Sequence, residues 1–211
     1  MSDNHKKINV GIINLGFNNL YSIFNCVKDL GYKTNIVNSK NKNIHHDIII
    51  LPGVGSYPKA MNYLNYSGLK DKIYNFVEKK NKLLFGICLG MQLLFDESSE
   101  FKRTKGLSLI EGSVKKFDKK KLIVPNIGWN KLIIPNKKKF TGKFDKNKFY
   151  YFVHSYYCKP TNNEDIAAIS LYKNFIFCSA IHKKNILGAQ FHPEKSGDEG
   201  QKILKNLYKL L

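Results

Sequence analysis

Arginine is almost missing from this chain: of its 35 basic residues only Arg103 is an arginine, and the rest are lysines. A net charge of +19 would otherwise suggest nucleic acid. Base readout and phosphate forks favour the planar guanidinium, so its scarcity argues against that class of partner. The basic runs KKFDKKK (115–121) and NKKKF (136–140) read instead as solvated loops and turns, in a chain whose plentiful lysine, asparagine and isoleucine suggest AT-rich coding. Long apolar runs are also lacking. No segment reaches the ~18 residues of a membrane span, and MSDNHKK leads straight into a strand-like segment with no signal-peptide core. Only four cysteines occur, Cys26, Cys88, Cys158 and Cys178, and none has C-x-x-C spacing. A disulfide framework or a zinc site is not expected, no cofactor is called for, and a reducing cytoplasm is the natural home.

What remains is a chain built to fold. Its 211 residues are 43% hydrophobic and 13% aromatic, enough for a substantial core. Residues 1–7 read as a polar N-terminal extension, and 8–211, with no internal repeat and no linker, as one domain. INVGIIN (8–14) is a short apolar run of the kind buried in parallel sheets. Leu20, Ile23, Phe24, Val27 and Leu30 then recur at helical spacing, and Gly31 stops the helix. KTNIVN and HDIIILPG read as strands two and three, Ile73, Phe76 and Val77 mark a helix, and KLLFGI is strand four. After about residue 105 the pattern changes to short strands around SVKKF, Trp129, KFYYFVHSYY and FIFCSAIH. ILGAQFH (186–192) reads as another buried strand, and GQKILKNLYKLL as a closing amphipathic helix. The expected fold is α/β: a mostly parallel sheet flanked by helices on both faces, with antiparallel additions in the second half.

Three segments carry chemistry. In Gly86-Ile87-Cys88-Leu89-Gly90, small residues stand two positions either side of a thiol where a strand meets a helix pattern. That is the spacing of a nucleophile elbow, which leaves its central residue strained and exposed. A helix over Leu89 to Phe95 would point its N-terminus at the sulfur. A buried structural cysteine with incidental glycines explains this segment alone equally well. LPGVGS (51–56), at the end of strand three, offers backbone N–H groups of the kind an oxyanion hole needs, although an ordinary strand-end turn would look the same. In QFHPEKS, His192 and Glu194 project to one side of an extended chain, so the carboxylate can orient an imidazole that takes a proton from Cys88. All three fall at the carboxyl ends of parallel strands, where open α/β sheets place their sites.

With these motifs the sequence resembles the class I glutamine amidotransferases. LPGVGS, CLGMQ, IGWN (127–130), YFVHSYY (151–157) and GAQFHPEKS together are similar to the HisH-type glutaminase subunits of imidazole glycerol phosphate synthase. The resemblance implies a Cys88–His192–Glu194 triad that hydrolyses glutamine through a thioester, with the oxyanion held by the N–H groups of Val54 and Leu89. It implies that Gly53, Gly55, Gln92, Ser155 and Tyr156 hold the glutamine. It also implies a heterodimer with a HisF-type (β/α)8 barrel that receives the ammonia to make imidazole glycerol phosphate and AICAR in histidine biosynthesis. Asn18, Asn19, Trp129, Tyr156 and Lys195 would border that partner, with core packing as the other reading of Trp129. Asn126 and Ile127 depart from the family's usual histidine-containing segment, and NLGFNNL from its usual first loop, which bears on the partner's identity. A paralogue serving a surface-sugar amidotransferase shares the chemistry, and a cysteine hydrolase or peptidase on a similar sheet is a more distant alternative.

Overall fold

The computed structural model describes residues 7–16, 20–135 and 148–211. The lysine run 136–140 and all but the last residue of the N-terminal extension lie outside them.

A parallel sheet forms the frame. Strands β1 (Asn9–Ile13), β2 (Lys33–Val37), β3 (Ile48–Gly53) and β4 (Leu83–Cys88) line up in the order β2-β1-β3-β4, with β13 (Ile186–Ala189) parallel to β4 on its far side. Alternation along the strands fills two cores. Val10, Ile12, Ile48, Ile50, Phe85 and Leu187 face helices α1 (Leu20–Asp29) and α5 (Gly197–Lys205). Ile13, Ile49, Leu51 and Leu84 face α2 (Tyr57–Tyr66), α3 (Leu69–Val77) and α4 (Leu89–Leu93). These strands are apolar on both faces because both faces are covered. Each such side chain contributes about 1.5–3 kcal/mol through burial.

Beyond β13 the sheet continues through β12 (Phe175–Lys183), β10 (Tyr156–Pro160) and β7 (Ile110–Lys116), all antiparallel to their neighbours along that path. It ends in β5 (Phe95–Ser98) and β6 (Thr104–Lys105), while β11 (Ile166–Tyr172) pairs with β12. β5 joins β7 in parallel, so beyond β13 the sheet is antiparallel with that exception. β8 (Asn126–Lys131) and β9 (Phe149–His154) form a separate two-stranded antiparallel ribbon rather than part of the main sheet.

Three expectations are corrected here. α2 was not read from the sequence: Tyr57, Ala60, Met61 and Leu64 give it a buried stripe, but Pro58, Lys59, Asn62 and Asn65 dilute the pattern. The elbow helix ends at Leu93, because Phe95 is already paired in β5. The closing helix stops at Lys205 and tightens into a 3-10 turn over Leu207–Leu210. No helix among the described residues is long and apolar enough to cross a membrane.

Candidate active site

The elbow exists because two glycines allow it. Cys88 ends β4 and caps α4 with φ 54° and ψ −110°, a conformation that costs about 1–3 kcal/mol for a side-chain-bearing residue. It persists because the surroundings dictate it. A Cβ on Gly90 would lie 1.7 Å from the Leu51 carbonyl oxygen, and one on Gly86 would lie 2.7 Å from the Gly90 oxygen. Strand, helix and neighbouring strand can close on each other only where side chains are absent. β3 ends in register beside the elbow, with Gly53 opposite Cys88.

His192 arrives by a different route. Past β13 the chain leaves the ladder; two hydrogen bonds fix it to β9 and a third closes the segment on itself. His192 N–H donates to the Tyr151 carbonyl (2.9 Å), Tyr151 N–H to Ser196 Oγ (3.0 Å), and Ser196 Oγ–H to the His192 carbonyl (2.6 Å). His192 is extended (φ −100°, ψ 97°), as its neighbour Pro193 requires. Glu194, however, lies in a 3-10 turn over Pro193–Lys195, not on an extended strand. The turn still brings Glu194 Oε1 2.8 Å from His192 Nδ1, with both side chains more than nine-tenths buried.

Cys88 is buried, 7% exposed, rather than exposed as the elbow pattern alone suggests. It opens instead onto a cavity of about 360 Å³ lined by Gly53, Val54, Gly55, Leu89, Gln92, Ser155, Tyr156 and His192. Glu194 stands behind the histidine. The sulfur lies 3.9 Å from the Val153 carbonyl oxygen and 3.7 Å from Gln190 Nε2. Nε2 of His192 is buried and has no hydrogen-bond partner among the described residues. Burial opposes a charge on this imidazole, yet the sulfur of Cys88 and the carboxylate of Glu194 outweigh it and push its pKa up to about 10. The resting pair is therefore a protonated imidazole facing a sulfur, with a carboxylate holding the ring from behind.

Sequence reasoning missed several members of this site. Glu100 lines the cavity and accepts the Tyr57 N–H at 2.6 Å. Gln190, buried, connects Cys88 to Gln92: Gln92 Nε2 donates to Gln190 Oε1 (3.0 Å) and to the Tyr156 carbonyl (3.1 Å). Both amide hydrogens of Gln92 are thereby used, and its oxygen is the group left for a ligand. His154 is buried between Asn126 Nδ2 (3.0 Å from Nε2) and the Tyr156 carbonyl (2.7 Å from Nδ1). A carbonyl can only accept, so Nδ1 carries the proton and Nε2 accepts from Asn126. Burial first, with the nearby His192 charge, pushes His154 down to about 4 despite that carbonyl. The motif YFVHSYY contained His154, but only the β8–β9 pairing of Asn126 with His154 shows its task.

Asn126 is also a correction. It faces the interior, 1% exposed, and serves His154, so its departure from the family pattern does not alter an outer face. Ile127 and Trp129 do lie outside, 59% and 52% exposed, so core packing is not the role of Trp129. Its ring meets Tyr151 edge-on with centroids 5.7 Å apart. Lys195 is exposed beside the triad turn. Asn18 and Asn19 lie outside the described residues. Among the described residues no cluster of His, Cys, Asp and Glu could hold a metal ion.

A strained thiol at a strand-helix elbow and a histidine–carboxylate pair thus meet at one cavity on a doubly covered sheet. The model of the class-I glutamine amidotransferase family matches residues 12–210, and the chain belongs to that family. Among its relatives, the imidazole glycerol phosphate synthase subunit HisH of Wolinella succinogenes is 40% identical over 201 residues, covering 93% of this chain and 97% of that one. The subunit of the same name from Chlorobium chlorochromatii is 41% identical, covering 95% of this chain and all of that one. A solved glutamine amidotransferase superposes with a TM-score of 0.74 at 19% identity, covering 95% of this chain and 97% of that one. A chain in the structure of PurLQS from Thermotoga maritima gives the same score and identity, covering 96% and 98%.

Proposed function

We propose that this chain is the glutaminase subunit of an imidazole glycerol phosphate synthase and that it works through Cys88, His192 and Glu194. The observation that carries the reading is the buried His192 Nε2, without a hydrogen-bond partner among the described residues, on the cavity that Cys88 also lines, with Glu194 2.8 Å behind its Nδ1. The thiolate attacks the side-chain amide carbon of glutamine. The tetrahedral oxyanion takes the N–H groups of Leu89 and Val54, both of which line the cavity beside the sulfur. His192 then gives its Nε2 proton to the departing nitrogen, leaving ammonia and a glutamyl thioester. Water adds to the thioester as the now neutral His192 takes its proton, and glutamate leaves as the thiolate and imidazolium return. Glutamine and water become glutamate and ammonia.

Gly53, Gly55, Gln92, Ser155 and Tyr156 hold the substrate in this reading, and Glu100, on the same wall, suits its α-ammonium. Gly55 has φ 109°, so the loop carrying the Val54 N–H can change its peptide orientation when a partner docks. The partner is a HisF-type barrel, and the outer face of the β8–β9 ribbon, with Ile127, Trp129, Phe149 and the exposed Lys195 turn nearby, is its seat. Ammonia passed directly into that barrel escapes dilution and protonation in water.

The test is reconstitution with a HisF-type barrel. Glutamine-dependent formation of imidazole glycerol phosphate and AICAR is expected, with loss of that activity and retention of ammonia-dependent activity in Cys88→Ala. Glutamine-dependent activity that survives Cys88→Ala refutes the reading.

A further inference from the structure

The Tyr156 carbonyl sets the direction of a chain of hydrogen bonds that ends on the Cys88 sulfur. It can only accept, and it takes the Nδ1–H of His154 (2.7 Å) and one Nε2–H of Gln92 (3.1 Å). The amide nitrogen of Gln92 is thereby fixed, and it gives its second hydrogen to Gln190 at 3.0 Å. The atom of Gln190 that receives this hydrogen must be its oxygen. The nitrogen of the same amide is therefore turned to the Cys88 sulfur, 3.7 Å away. Gln190 is wholly buried just past β13, and its backbone N–H is tied to the Ser179 carbonyl on β12 (2.9 Å). Neither amide can turn over without leaving interior hydrogen bonds unmade, so the sulfur always meets a donor from this side. The Val153 carbonyl on β9, 3.9 Å from the sulfur, acts the other way: it accepts from a thiol and repels a thiolate.

We propose that Gln190 is a further catalytic residue: its side-chain N–H holds the Cys88 thiolate, and Gln92 locks Gln190 in the orientation that lets it do so. The proposal rests on the glutaminase reading, in which the sulfur attacks as a thiolate, and adds a group that keeps the negative charge there. His192 favours the same charge, but its proton leaves with the departing nitrogen in every cycle. The hydrogens of Gln190 stay where they are. The thiolate that reforms as glutamate leaves thus meets a donor already in place, whatever the state of the imidazole, and no reorganisation is needed. No proton and no electron passes along this chain; it supplies a fixed dipole and nothing else.

The experiment follows all four thiols of the chain at once. Iodoacetamide is added at neutral pH, and the alkylation rates of Cys26, Cys88, Cys158 and Cys178 are read by peptide mass spectrometry. Half-buried Cys26 is the internal reference, and buried Cys158 and Cys178 report any loss of the fold. Gln190→Leu fills nearly the same space without an N–H. It is expected to slow Cys88 about fivefold, the size of one net hydrogen bond, with Cys26 changed by less than about twofold and Cys158 and Cys178 still protected. The His192 ring, whose charge the sulfur supports, should then titrate below its present value of about 10 when followed by NMR. Unchanged Cys88 alkylation in a folded Gln190→Leu chain overturns the proposal while leaving the glutaminase reading standing. If Cys158 and Cys178 become reactive, Gln190 itself is kept and Cys88→Ala decides. The side-chain amide signals of Gln190 should shift in that variant and those of Gln201, on α5, should not; unshifted Gln190 signals overturn the proposal. A parent chain whose Cys88 reacts no faster than Cys158 overturns the glutaminase reading, and this proposal with it.

Discussion

Gly53 and Cys88 are register partners at the carboxyl ends of adjacent parallel strands, so the last residue of β3 lies against the elbow that ends β4. A Cβ on Gly53 would come within 2.8 Å of Leu89 Cβ. Cys88 and the loop proposed to stabilise the oxyanion are thus set by one pair of strands rather than by two independent loops. That pairing explains why glycine, not merely a small residue, stands at each closest approach.

The packing at the elbow predicts a sharp contrast between glycines. Gly90→Ala places its methyl group inside the Leu51 carbonyl, a backbone atom that cannot rotate away. It should abolish folding or cost more than about 3 kcal/mol in thermal unfolding. Gly68→Ala meets nothing within 4 Å and suffers only from its φ of 68°. It should cost about 1 kcal/mol. Similar losses for the two would contradict the packing argument.

Glu194→Gln keeps the shape of the triad carboxylate and removes its charge. Part of the support for protonated His192 then disappears, so the imidazole should titrate below its present value of about 10, as followed by NMR of the ring. Glutamine hydrolysis in the activated complex should fall about 10²-fold, because the proton donor is both weaker and less well oriented. An unshifted titration would detach Glu194 from the triad.

Acid should destabilise the fold through His154. Its pKa is depressed to about 4, below the ordinary histidine value, so below pH 6.5 the unfolded chain binds a proton that the folded chain refuses. Stability therefore falls from about pH 6.5 down to about 4, by an order of 3 kcal/mol for this residue. His46, also lowered mainly by burial, adds in the same direction. His192 has the opposite sign: its contribution is complete below pH 6.5 and is lost only as pH rises toward 10. Urea midpoints measured across pH 4–7 should show a shallower slope in His154→Gln. An unchanged slope would contradict the buried neutral tautomer.

Trp129→Ala tests the ribbon face. The side chain is half exposed and meets Tyr151 at its edge, so the isolated variant should unfold within about 0.5 kcal/mol of the parent. Affinity for the barrel should drop by about 2 kcal/mol or more if this ring anchors the interface. Unchanged affinity would remove the ribbon from the docking surface.

The meeting of Cys88, His192 and Glu194 at one cavity could be read in the sequence because each part is local. The glycines around Cys88 and the His-Pro-Glu segment need only their neighbours to declare their geometry, and the apolar runs of β1, β3 and β4 declare a buried parallel sheet. Gln190, Glu100 and the Asn126–His154 pair were hidden because their meaning lies in pairing across long separations. Gln190 reaches Cys88 only when β13 docks on β4, and Asn126 reaches His154 only through the register of the β8–β9 ribbon. The same lack of register information hid the detachment of that ribbon from the main sheet. α2 was missed for a different reason: its apolar stripe is carried partly by tyrosines, and Pro58 sits in its first turn, where proline is tolerated.

The central claim is that the Cys88 sulfur is a nucleophile toward glutamine, served by His192. The most direct measurement incubates the assembled complex with the glutamine analogue 6-diazo-5-oxo-norleucine and locates the covalent adduct by peptide mass spectrometry. One stoichiometric adduct on Cys88 is predicted, blocked by excess glutamine and strongly slowed in His192→Asn. An adduct confined to Cys26, Cys158 or Cys178, or none in a complex that still consumes glutamine, would contradict the account.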